Sequence, residues 1–121
     1  MKKILFIEDE YALQRALTKV FEEEGFKVLS ALNGEDGIRV AKKELPDVVI
    51  LDLILPRKNG FEVLKELKSD TATGHIPVII LSNVGETAEI GKATELGANA
   101  YLVKADYLLD EVVQKVKSFI Q

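Results

Sequence analysis

Five polar side chains stand directly after short apolar runs. Glu8 and Asp9 follow Ile4-Leu5-Phe6-Ile7, Asp52 follows Val48-Val49-Ile50-Leu51, Ser82 follows Val78-Ile79-Ile80-Leu81, and Lys104 follows Tyr101-Leu102-Val103. If each run is a strand of one parallel sheet, all five side chains meet at a single edge. Three carboxylates gathered there repel one another, so the arrangement makes chemical sense when a cation and a further ligand share the site.

Such a sheet needs crossover segments, and the chain supplies them. Apolar runs alternate with longer stretches of helical period, which reads as a β-α unit repeated five times. One helix is expected over about Glu10 to Glu24, stopped by Gly25, and a second from Asn33 or Gly34 to about Leu45, because Pro46 disfavours helical geometry in the residue before it. A third should run from Phe61 to Ser69 after the turn chemistry of Leu55-Pro56-Arg57-Lys58-Asn59-Gly60, and a fourth from Glu86 to Leu96. Thr87, Gly91 and Thr94 make that fourth helix the weakest former of the set. A fifth should start from an Asp106 cap and continue through Ile120.

The strands at Ile4–Ile7, Val48–Leu51 and Val78–Leu81 are continuous apolar runs, as expected for strands covered on both faces. Those at Lys27–Ser30 and Ala100–Val103 are shorter or more polar and belong at the edges. Right-handed crossovers then give an α/β, doubly wound (βα)5 three-layer sandwich with a parallel five-stranded sheet of order 2-1-3-4-5. The order reverses between strands one and three, so a ligand crevice is expected at their carboxyl ends. Those ends carry Glu8, Asp9 and Asp52.

Composition narrows the function classes. The 121 residues, 47% apolar and 30% charged, describe one globular domain spanning 1–121. A formal charge of -4 without a basic run argues against direct contact with nucleic acid. No segment is long enough to span a membrane, and the apolar stretch after Met1-Lys2-Lys3 is ended too soon by Glu8-Asp9-Glu10 to be a signal peptide. Cysteine is absent, which excludes disulfides and thiolate chemistry and makes the cytoplasm the expected compartment. His75 is the only histidine, with no second candidate for a metal pair or a catalytic triad, and reads as structural or solvated.

Taken together, Ile4 to Glu10 (ILFIEDE), Leu51 to Pro56 (LDLILP), Asn59-Gly60, Leu81-Ser82 and Tyr101-Leu102-Val103-Lys104 resemble the receiver domain of two-component response regulators. The resemblance covers essentially the whole chain and is nearest to single-domain receivers of the chemotaxis-regulator type, with a flavodoxin-like sheet. It implies a phosphorylation-dependent switch. Asp52 would accept a phosphoryl group from a phosphohistidine on a histidine kinase or histidine phosphotransfer protein. The change would alter the surface of helix four, strand five and helix five for an output partner that the sequence does not name. Such a protein is no enzyme in the ordinary sense; it catalyses its own phosphorylation and dephosphorylation only.

The resemblance also assigns roles. Mg²⁺, or Mn²⁺ in its place, would be held by Asp9, Asp52, the backbone carbonyl of Ile54 and, through water, Glu8. Lys104 and the metal would neutralise the phosphoryl oxygens from opposite sides, and Ser82 would hydrogen-bond one of them. Tyr101 resembles the switch aromatic, expected to turn inward as Ser82 moves toward the phosphoryl group.

Five positions bear on how the chain departs from the family pattern. Glu8 stands where aspartate is frequent, and Asn83 where a small residue is usual, which bears on access to Asp52. Ala105 follows Lys104 in place of a proline whose bond is normally cis; a cis bond before a non-proline costs about 2.5 to 4 kcal/mol, so the isomer of this bond is open. Ile54 and Val84, each two positions past Asp52 and Ser82, put apolar side chains where polar ones can position hydrolytic water. Slow self-dephosphorylation is therefore expected.

Other functions compete for the same residues. A small Mg²⁺-dependent phosphohydrolase could use an aspartyl phosphate, but Asp52-Leu53-Ile54 lacks a second aspartate and the chain leaves little room for a cap domain. A receiver-like binding module that is never phosphorylated would not need Asp9, Asp52, Ser82 and Lys104 together. A flavin-binding protein of the same topology would carry a Ser/Thr/Gly phosphate cradle after strand one, where this chain is acidic.

Overall fold

The apolar runs pair as parallel strands β1 (Lys3–Ile7), β2 (Lys27–Ala31), β3 (Val48–Leu51), β4 (Val78–Ser82) and β5 (Ala100–Val103), in the order β2-β1-β3-β4-β5. They are joined by helices α1 (Tyr11–Glu23), α2 (Gly34–Glu44), α3 (Gly60–Ser69), α4 (Thr87–Glu95) and α5 (Leu109–Ile120). The structure, a computed structural model, describes residues 1–120.

Alternation along the strands divides the core in two. Leu5, Ile7, Val49, Leu51, Val78 and Ile80 pack beneath α2, α3 and α4, while Ile4, Phe6, Val48, Ile50, Ile79 and Leu81 pack beneath α1 and α5. Both faces of the central strands are therefore sealed from water, and each such side chain contributes about 1.5 to 3 kcal/mol by its burial. α4 contributes only Ala93 to that burial and has no side-chain cap, in keeping with its poor helix formers.

Local chemistry sets most helix ends. Asn33 and Asn59 accept hydrogen bonds from the backbone N–H groups of Asp36 and Glu62 at 2.9 and 3.0 Å, which starts α2 and α3. α3 therefore begins at Gly60, one residue before the expected Phe61. Leu45, held before Pro46, takes a left-handed φ of 47° and ends α2.

The expected cap at Asp106 is not formed. Lys104–Asp106 make one 3₁₀ turn, and α5 starts later, at Leu109. There the Glu111 carboxylate, in place of Asp106, accepts from the Leu108 N–H at 2.8 Å and satisfies a donor at the start of the helix. Every described peptide bond is trans, Lys104–Ala105 included, so that open question closes on the side of no cis bond.

Candidate functional site

Sheet register assembles the site. Ile7 pairs with Leu51 and Leu51 with Ile80, so Glu8 and Asp52 leave the sheet side by side, and the Asp52 N–H donates to the Ile7 carbonyl at 3.0 Å. Ser82 pairs with Val103, which brings Lys104 to the same edge. All five residues singled out by the sequence converge here.

Their environments differ. Glu8 is fully buried, Asp52 is 5% exposed, and Asp9 faces solvent. One carboxylate oxygen from each lies within 4.8 Å of the other two. The Lys104 ammonium stands 2.6 Å from Glu8 Oε1, 3.2 Å from Asp52 Oδ2 and 3.7 Å from Glu10 Oε2. Among the described residues Lys104 is the one side chain within reach of the buried Glu8 Oε1, so this oxygen depends on the lysine alone. Glu8 Oε2 accepts from the Glu10 N–H, and Asp52 Oδ1 from the Ile54 N–H.

Proton affinities follow from this packing. Burial pushes the Glu8 carboxyl up to about 7, against the pull of Lys104, and the neighbouring Asp52 charge adds to the rise. Burial works to lower the Lys104 pKa, but the contact with Glu8 and the charge of Asp52 outweigh it and hold the ammonium above its ordinary value.

Three hard carboxylate oxygens gathered within 4.8 Å of one another, two of them from buried or nearly buried residues and offset by a single lysine, fit a divalent cation of the Mg²⁺ or Mn²⁺ type.

Around this cluster sit the switch candidates. Ser82 is buried and its Oγ accepts from the Val84 N–H at 3.2 Å. The half-buried Tyr101 donates its hydroxyl to the Val84 carbonyl. Burial raises the Tyr101 pKa; a hydrogen bond with Ser82 opposes the rise, and the charges of Glu89 and Asp52 add smaller contributions to it. Tyr101 and Ser82 thus hold the two ends of one residue. Ile54 is 65% exposed and Asn83 is exposed, while His75 lies on the surface away from these contacts. A cavity of about 370 Å³ opens beside Lys104, lined in part by Glu10, Leu13, Asn83, Ala105 and Tyr107.

Two neighbours of the site were not singled out by the sequence reading. Glu10 adds a third, looser carboxylate to Lys104, and the buried Gln14 donates to backbone carbonyls at the exit of β1. Gln14 had a visible signal: it sits in helical phase with Leu17 and Phe21, on the face that α1 buries.

A doubly wound sheet with an acidic cluster at its switch point and a lysine across from it defines a class of phosphate-handling signalling domain. The response regulator receiver domain model matches residues 4–117, and the chain belongs to that family. It is 35% identical over 119 residues to sporulation initiation phosphotransferase F of Bacillus subtilis, covering 98% of this chain and 94% of that one. It is 38% identical over 104 residues to protein PilH of Pseudomonas aeruginosa, covering 86% of each. Among solved structures, the Mn²⁺-bound form of response regulator Rcp1 is 30% identical with a TM-score of 0.86, covering 98% of this chain and 94% of that chain. The chain is a phosphorylation-dependent signalling switch of two-component systems. Receiver domains are signalling proteins, generally not enzymes, that bind divalent metal at an acidic pocket and work with histidine kinases, phosphotransfer proteins and output domains. No described helix is long and apolar enough to cross a membrane.

Proposed function

We propose that residues 1–121 act as one receiver domain in which Asp52 is the phosphoacceptor. The observation that carries the reading is the pairing of a nearly buried Asp52 carboxylate with the Lys104 ammonium at 3.2 Å, inside a carboxylate cluster shaped for a cation. An Asp52 carboxylate oxygen attacks the phosphorus of a partner phosphohistidine, the P–N bond breaks, and the imidazole leaves with its electron pair. The product is an acyl phosphate on Asp52.

Glu8, Asp9, Asp52 and the Ile54 carbonyl hold Mg²⁺, with Mn²⁺ able to replace it. Bound there, the cation supplies charge that offsets the phosphoryl oxygens. Lys104 gives up its contact with Asp52 to pair with a phosphoryl oxygen, and the Ser82 hydroxyl donates to another. The chain then catalyses only its own phosphorylation and dephosphorylation. Loss of the Ser82–Val84 contact frees Tyr101, and the surface of α4, β5 and α5 carries the change to an output partner. The absence of cysteine fits a reducing cytoplasm as the place of this exchange.

Incubation with a small acyl phosphate and Mg²⁺, followed by intact mass, tests the assignment. Wild type should gain one phosphate and Asp52→Asn none; an adduct that persists in the variant removes Asp52 as acceptor.

A further inference from the structure

The buried side of α1 carries one polar residue, Gln14, which is 3% exposed and shares that side with Leu17 and Phe21. Its Nε2 lies 2.8 Å from the Phe6 carbonyl, 3.1 Å from that of Glu8 and 3.0 Å from that of Ala31. An amide nitrogen has two protons, so three acceptors share them. The opposite atom, Oε1, is buried with no donor at all. Turning the amide over would set an oxygen against three carbonyls, so the surroundings fix its orientation.

Space filling does not account for a glutamine here. Leucine or methionine would occupy the same volume without stranding an acceptor, so what glutamine adds is the grip of its nitrogen. That grip joins three backbone points: Phe6 near the end of strand β1, the peptide of Glu8, and Ala31 at the end of edge strand β2. The Glu8 N–H also donates to the Ala31 carbonyl at 3.0 Å, so both sides of Glu8 are tied to the same strand end. The carboxylate of the same residue is fully buried and belongs to the cluster with Asp9 and Asp52.

We propose that Gln14 is a positioning residue of the cation site, holding the Glu8 peptide so that the Glu8 carboxylate meets Asp9 and Asp52; this rests on the cation reading given under Proposed function. Groups that orient metal ligands from behind typically change affinity 10–100-fold when lost.

The test is Mn²⁺ binding to the full chain at pH 7.5, read by electron paramagnetic resonance of the free ion, for wild type, Gln14→Met and Gln14→Asn. Unfolding in urea with chelator is measured alongside. Gln14→Met should weaken Mn²⁺ about tenfold. Gln14→Asn keeps an amide but draws it back, and should weaken binding less, in the same direction. If Gln14→Met does not fold, Gln14→Asn decides. Wild-type affinity in the folded variants, whatever their urea midpoints, overturns the inference while leaving the cation site standing. Failure of wild type to bind Mn²⁺ overturns the site and the inference with it.

Discussion

The Lys104 ammonium lies 2.6 Å from Glu8 Oε1, closer than its 3.2 Å approach to Asp52 Oδ2. Without a divalent cation, one lysine thus offsets two buried carboxylates, and one of them is held with its pKa near 7. Protonation, cation binding and phosphorylation all act on that balance.

Glu8 should give the cation-free chain an unusual pH dependence. A folded pKa of about 7 against an ordinary 4.5 means that the folded chain binds more protons than the unfolded one in that window. This group's contribution to stability is intact below about pH 4.5 and is lost as pH rises to about 7, by at most about 3 kcal/mol. Glu8→Gln removes the titration. Urea midpoints with chelator should match between wild type and Glu8→Gln at pH 4.5 and separate in favour of the variant at pH 8. A constant gap across that range refutes the shift.

Cation binding should reverse that loss. At ten times its Kd, Mg²⁺ should stabilise the fold by about 1.4 kcal/mol at pH 8, raising Tm by a few degrees. Because Glu8 must lose its proton to act as a ligand, the increment should shrink below pH 7. Asp9→Ala, on the exposed side of the cluster, should abolish it without loss of the cation-free fold. Scanning calorimetry with and without Mg²⁺ reads this directly, and equal Tm values in both would exclude the site.

What the sequence disclosed and what it hid separate along a physical line. Asn33, Asn59 and Pro46 act within a few residues of themselves, so their effects on α2 and α3 were legible locally. The convergence of Glu8, Asp52, Ser82 and Lys104 was legible because period-two burial and strand order leave one place for strand ends. Asp106 looked like a cap by residue type, but where α5 starts is decided by how Val112, Val113 and Val116 meet the sheet, and that left room for a 3₁₀ turn. The burial of Gln14 was visible in its helical phase, but its role was hidden for a related reason: its partners, Phe6, Glu8 and Ala31, come together only in the folded sheet.

Backbone contact should make one glycine irreplaceable and another dispensable. A Cβ on Gly60 would lie 2.3 Å from the Asp52 carbonyl oxygen and 2.4 Å from Leu53 Cα, with no flexible side chain to yield. Gly60→Ala should cost about 1 to 3 kcal/mol and slow phosphorylation by displacing the Asp52 backbone. Gly91 in α4 has nothing within 4 Å of such a Cβ, and Gly91→Ala should stabilise by up to about 1 kcal/mol. Urea unfolding of the two variants checks both signs.

Tyr101→Phe should separate the switch from the chemistry. It removes the hydrogen bond to the Val84 carbonyl, worth about 1 kcal/mol, and touches no carboxylate. The yield of phosphate adduct should stay at the wild-type level, while hydrogen exchange at residues 84–86 rises in the unphosphorylated chain. Unchanged exchange there would mean that Tyr101 does not restrain the segment.

The phosphorylated chain should lose its phosphate slowly. Hydrolysis needs a water aligned with phosphorus, and a polar side chain that accepts its proton or orients it accelerates the step. Ile54, 65% exposed, and Val84, half-buried, each follow a site residue by two positions, Asp52 and Ser82, and neither side chain can hydrogen-bond. Val84 engages Ser82 and Tyr101 only through its backbone N–H and carbonyl, so a new side chain there leaves both contacts in place. Ile54→Asn and Val84→Gln should each speed decay of the isolated adduct in Mg²⁺, and the double variant should exceed either. Decay of the wild-type adduct within seconds would show that water is aligned by some other group, and equal rates in all four proteins would show that these positions do not control it.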